Sequence, residues 1–188
     1  MKSKNPFLAL FALIGLMACG AAPDRYIVPS PEVVERQRIG FRAVEIREIS
    51  LPAYAASDEI SQQGADGRVT SDGGVLWADT PERAVALELA RHLSRLSGAR
   101  VASAPWPFES FPDARLDVRF ESLVANDQGQ FLANGQYFVA VEDGRRERSG
   151  LFDLSVAFDP AGGPQAIAAA RGQIILDLAR FVAANGLR

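Results

Sequence analysis

The chain has 188 residues, one cysteine, one histidine and a formal net charge of −3. Its length suits one domain with a full hydrophobic core, and its acidic balance excludes nucleic acid as a partner held by the net field. A lone cysteine excludes an intramolecular disulfide, and the sequence has no Cys/His set for zinc, no Asp-rich calcium loop and no cofactor motif.

The chain opens with Lys2 and Lys4, followed by an apolar run from Phe7 to Met17. Small Ala18 and Gly20 flank Cys19. Charge, length and small residues mark a secretory signal peptide. The run is too short to span a bilayer, which takes about 20 apolar residues. Leu16-Met17-Ala18-Cys19 resembles the bacterial lipobox. That resemblance implies cleavage between Ala18 and Cys19, a diacylglyceryl group on the Cys19 thiol and a palmitate-type chain on its amine. The alternative is an ordinary signal peptide with an incidental cysteine. Two or three chains on one residue make attachment effectively permanent, since each buried methylene contributes about 0.8 kcal/mol. The expected division is a signal peptide over residues 1–18, a lipidated tether over 19–31 and a periplasmic domain over 32–188.

Tyr26-Ile27-Val28 is a candidate short strand within the proline-bearing tether. Residues 39–50 alternate, with Phe41, Val44, Ile46 and Ile49 apolar among charged neighbours. The slip between 41 and 44 predicts a bulge, and Leu51-Pro52 ends the strand. The polar stretch from Asp58 to Asp72 predicts two short edge strands, near 59–62 and 68–71, with an edge open to a partner strand. Thr80 to Ser97 predicts a helix. Asp79-Thr80-Pro81-Glu82 supplies a cap, an early proline and a first-turn carboxylate. Val85, Leu89, Leu93 and Leu96 form its inward stripe. A short strand is expected over 100–103, then an irregular loop through Pro105-Trp106-Pro107.

A meander follows. Leu116, Val118 and Phe120 alternate with charged residues, Asn126-Asp127-Gln128-Gly129 turns the chain, and Tyr137 to Val141 is apolar on both faces. That predicts a central strand covered on both sides. Asp143-Gly144 predicts a tight turn, and Phe152 to Phe158 the return strand. Pro164 to Ala184 predicts the last helix, with Ile167, Ala170, Ile174, Leu178 and Phe181 inward. Arg171 lies near that stripe and is expected to snorkel its head to solvent. The sum is a single α/β domain, a mixed, mostly antiparallel sheet with two main helices.

The lipobox, Leu51-Pro52-Ala53-Tyr54 at a strand end, Trp77-Ala78-Asp79 before a Leu/Ala-rich helix, the meander and the terminal helix together resemble the PqiC/YmbA-type lipoproteins. These are auxiliary lipoproteins of transport systems built around MCE-domain proteins. The resemblance covers the chain from Tyr26 onward. It implies a three-layer sandwich similar to the anticodon-binding-domain and TolB N-terminal group. It implies a non-enzymatic outer-membrane lipoprotein facing the periplasm. Its partner would be a periplasmic MCE-domain protein that conducts lipids between the membranes, in support of envelope integrity. Gly20, where an aspartate is absent, is similar to signals that permit export to the outer membrane. A homo-oligomer is compatible with this reading. The rival is a lipid-binding or lipid-receiving lipoprotein with its own apolar pocket.

Catalytic sets are poor. His92 is the sole candidate imidazole base, no Gly-x-Ser-x-Gly elbow is present, and Asp113, Asp117 and Glu121 fit the wet face of a strand. Tyr54, Trp77 and Trp106 are the candidate partner contacts, because aromatic residues are favoured at interfaces. Core packing is the alternative for Tyr54 and Trp77.

Overall fold

A computed structural model describes residues 22–188. The Ala18–Cys19 cleavage site and the lipidation site at Cys19 lie outside the described residues. In chain order the elements are β1 (Asp24–Tyr26), β2 (Ala43–Ser50), α1 (Ala53–Ala56), β3 (Glu59–Gln63), β4 (Val69–Trp77), α2 (Pro81–Ser97), β5 (Arg100–Ser103), β6 (Ala114–Asn126), β7 (Gln130–Ala140), β8 (Arg148–Ala157), a 3-10 turn (Pro160–Gly162) and α3 (Gly163–Asn185).

The sheet is organised around β6, the longest strand. One edge of β6 pairs antiparallel with β7, from Arg115 opposite Ala140 to Ala125 opposite Phe131, and β7 pairs antiparallel with β8. The other edge is shared. Its first half takes β2 in parallel, and its end takes β3 in parallel at Gln62 opposite Ala125. β5 then adds to β2, and β4 and β1 add beyond β3. The meander forms because alternating apolar residues give β6, β7 and β8 one buried face. Gly144, with φ 67°, supplies the turn between the last two.

The fold is the expected one: a single α/β domain with a mixed sheet and two main helices, its longest pairings antiparallel. Both main helices meet the same hydrophobic core. Val85, Leu89, Leu93 and Leu96 of α2 are fully buried, as are Ile174, Ile175 and Leu178 of α3. The layer outside the helices is a strap of residues 27–41. Gln37 N–H donates to Leu96 O at 2.9 Å, Gln37 Nε2 donates to Arg180 O at 3.3 Å, and Gly40 N–H donates to Leu187 O at 2.6 Å. A side chain at Gly172 of α3 would lie 2.3 Å from Pro29 O, so glycine is what lets the strap seat there. The part of the expected tether from Asp24 onward is therefore built into the fold.

Four local expectations change. The register shift in β2 falls at Arg47, between Ile46 and Glu48, and not between 41 and 44. β4 runs to Trp77, well past the short strand expected near 68–71. β7 is central, but only the face of Phe131, Ala133, Gly135, Tyr137 and Val139 is buried, while Leu132 and Phe138 on its other face are half-buried. Asp117 is not on a wet face. It is 3% exposed and holds Arg47, whose Nε donates to Asp117 Oδ1 at 2.9 Å. Asp113 accepts from the N–H groups of Arg42 and Ala43 and fixes the start of β2.

Candidate functional site

β4 ends at Trp77, and Ala78-Asp79-Thr80 turns directly into α2, where Pro81 takes the first helical position. β1 runs parallel beside the end of β4, with Tyr26 opposite Trp77. Ala78 N–H donates to Tyr26 O at 3.0 Å, and Arg25 Nη1 donates to Trp77 O at 3.1 Å. The strap then departs from Tyr26 across the helices. The space left between strap, turn and α2 is a cavity of about 350 Å³. Ile27 and Leu87 flank it, and Trp77, Glu88 and Arg171 lie along it.

Arg171 reaches this site from α3. It does not snorkel; it is 2% exposed. Its guanidinium carbon sits 4.6 Å from the centroid of the Trp77 ring, and its Nη2 lies 3.7 Å from Glu88 Oε1. That separation makes an ion pair and no hydrogen bond. Arg171 Nη2 and Glu88 Oε2 are both buried without hydrogen-bond partners. Burial pushes the Glu88 carboxyl above its ordinary range, against the pull of Arg171. Burial likewise pushes Arg171 down, against the pull of Glu88. Sequence reasoning missed this pair. Its signal was an arginine in the apolar stripe of one helix and, in α2, a glutamate one residue before Leu89 of the other stripe.

The predicted aromatic contacts divide. Trp77 is 7% exposed and Tyr54 is half-buried, its hydroxyl accepting from Leu123 N–H at 3.4 Å. These two line one small cleft behind the Arg171 guanidinium. Trp106 lies apart, in the loop after β5. It is half-buried, donates from Nε1 to Ser110 O at 2.6 Å and meets Phe108 edge-on. The fully exposed aromatic of that loop is Phe111, at 76%.

His92 is wholly enclosed in α2, with neither ring nitrogen hydrogen-bonded. Burial, reinforced by Arg91, Arg95 and Arg180, lowers its pKa to about 4. The ring is neutral in the folded chain near pH 7. Below pH 6.5 the unfolded chain protonates this histidine and the folded chain does not, so stability falls until about pH 4. Glu88 works in the opposite sense, since its raised pKa favours the folded form in acid. The expected result is a stability difference between the native chain and His92→Leu that shifts by about 3 kcal/mol between pH 6.5 and pH 4. Urea unfolding at stepped pH measures it. A difference independent of pH would place His92 in contact with solvent.

Among the described residues no group of three or more His, Cys, Asp or Glu is placed to hold a metal ion, and no helix is long and apolar enough to cross a membrane.

The family model for the ABC-type transport auxiliary lipoprotein component matches residues 27–183. The chain belongs to that family. The match takes in the strap, strands β2 to β8, α2 and all but the last two residues of α3. Among curated proteins, none matches the sequence. Among solved structures, the chain is similar to one described as an uncharacterized protein, at TM-score 0.69 and 17% identity, covering 87% of this chain and 97% of that one. It is also similar to protein XCC0632 from Xanthomonas campestris, of the DUF330 family, at TM-score 0.60 and 14% identity, covering 87% and 94%. At these identities the likeness concerns the fold, and it extends to nearly the whole of both chains.

Proposed function

We propose that this protein is a lipid-anchored, non-enzymatic accessory subunit of an MCE-type intermembrane lipid transport system. Cys19 holds it to the periplasmic face of the outer membrane, and the folded domain docks the periplasmic conduit there. The observation that carries the reading is the auxiliary-lipoprotein family match over residues 27–183, behind a Leu16-Met17-Ala18-Cys19 stretch that resembles a lipobox. Two surfaces of the domain suit docking. One is the loop of Trp106, Phe108 and Phe111. The other is the edge of β4 over residues 69–74, which has no strand partner among the described residues because β1 covers only Val75 to Trp77.

The test is affinity capture of the full chain from detergent-solubilised envelopes, followed by identification of what comes with it. An MCE-domain protein is the expected companion. Phe111→Asp or a proline at Ser71 is expected to reduce its yield several-fold, because few interface residues carry most of the binding. Recovery of no MCE-domain protein, with the chain itself folded and enriched, overturns the reading. The cavity beside Trp77 favours a second reading, a lipid-binding role for the domain.

A further inference from the structure

The cavity between the strap and α2 has two unlike ends. At its mouth stand Ile27, 80% exposed, and Leu87, 37% exposed, two of the few large apolar side chains left in water among the described residues. Val28 and Ala84 continue that apolar wall. Deeper, Arg171 and Glu88 line the cavity, and Arg171 Nη2 and Glu88 Oε2 are buried without hydrogen-bond partners. A buried guanidinium without its hydrogen bonds is costly, and an oxygen placed against it recovers that cost. Adjacent apolar side chains exposed beside a cleft mark a contact that water does not satisfy.

We propose that this cavity binds a single-chain anionic amphiphile, with the Arg171 guanidinium donating to its carboxylate or phosphate oxygen and its chain lying against Val28, Ile27 and Leu87. The volume is at the lower end for small-ligand sites, which run from about 300 to 1,000 Å³, and so matches one chain better than two. The inference stands on the cavity and does not depend on docking to an MCE-domain protein, so either can fail alone.

The experiment uses the purified full chain in amphipol, titrated with decanoate, decyl phosphate, decanol and acetate, and followed by calorimetry. Decanoate and decyl phosphate are expected to bind at least about tenfold more tightly than decanol, since a hydrogen bond to a charged group is involved. Acetate is expected to show no binding at the same concentration. The order of decanoate and decyl phosphate tells a fatty acid from a lipid phosphate, and either order above decanol supports the site. Ile27→Glu, on an exposed position that does not burden folding, is expected to weaken decanoate severalfold through like charge. The paired substitution Arg171→Met with Glu88→Leu is expected to remove the preference for decanoate over decanol. Equal binding of decanol and decanoate by the native chain overturns the proposal. So does acetate binding as well as decanoate, binding unchanged in both variants, or no binding at all.

Discussion

Replacing Arg171 by methionine is expected to lower the unfolding free energy by about 3–5 kcal/mol, because one partner of a buried ion pair is removed and the other is left. Arg171 is 2% exposed and Glu88 8% exposed, so water does not reach either charge to offset the loss. The substitution also removes the guanidinium from the Trp77 ring. Its cost depends on pH with a definite sign. Without the arginine, Glu88 keeps a raised pKa, since burial is the first cause of its shift and the arginine only opposed it. A group with a raised folded pKa binds its proton more tightly in the folded chain, so stability falls as pH rises above the ordinary carboxyl range. Arg171→Met is therefore expected to be mild near pH 5 and severe near pH 8. Adding Glu88→Leu is expected to restore most of the loss, since an apolar pair of similar volume replaces a buried ion pair at little or no cost. Urea unfolding of the two variants and the native chain, at both pH values, measures all of this. An Arg171→Met chain as stable as the native one at pH 8 would show that the pair carries no structural weight.

The two main helices were legible because apolar residues recur at helical spacing over many turns, from Val85 to Leu96 and from Ile167 to Phe181. The meander was legible from strict alternation and from Asp143-Gly144. Three things were not. Helix α1 is only four residues long, below the length at which a period shows. The strap was not legible, because what holds residues 35–40 is backbone and side-chain bonding to Leu96, Arg180 and Leu187, far along the chain. Asp117 looked wet because alternation assigns a strand residue to a face and says nothing about its neighbour. The irregularity at Arg47 brings that arginine against it. The Arg171–Glu88 pair failed in the same way: each charge was visible near the inward stripe of its own helix, and only the packing of α2 on α3 joins them. The site is thus composed of residues whose roles depend on tertiary partners, while the fold class rests on local pattern.

Replacing Cys19 by serine is expected to remove the protein from the outer-membrane fraction, the largest functional effect of any single change. The argument is one of chain number. A single myristoyl-sized chain holds a protein only marginally, with an association constant of about 10⁴ M⁻¹, and each further methylene in the bilayer contributes about 0.8 kcal/mol. The proposed diacylglyceryl thioether and amide-linked chain on Cys19 would supply that contribution several times over. Serine has no thiol to alkylate, so all of it is lost at once. Nothing described in the domain replaces it: no helix is long and apolar enough to cross a membrane, and the chain is acidic where an anionic surface would require basic residues. Sucrose-gradient fractionation of envelopes follows the protein, and mass spectrometry of its N-terminal peptide reads the acyl groups directly. The native chain is expected to carry them on Cys19 and to sediment with outer membrane. A serine variant that still sediments there would show that the folded domain, and not the anchor, finds the membrane.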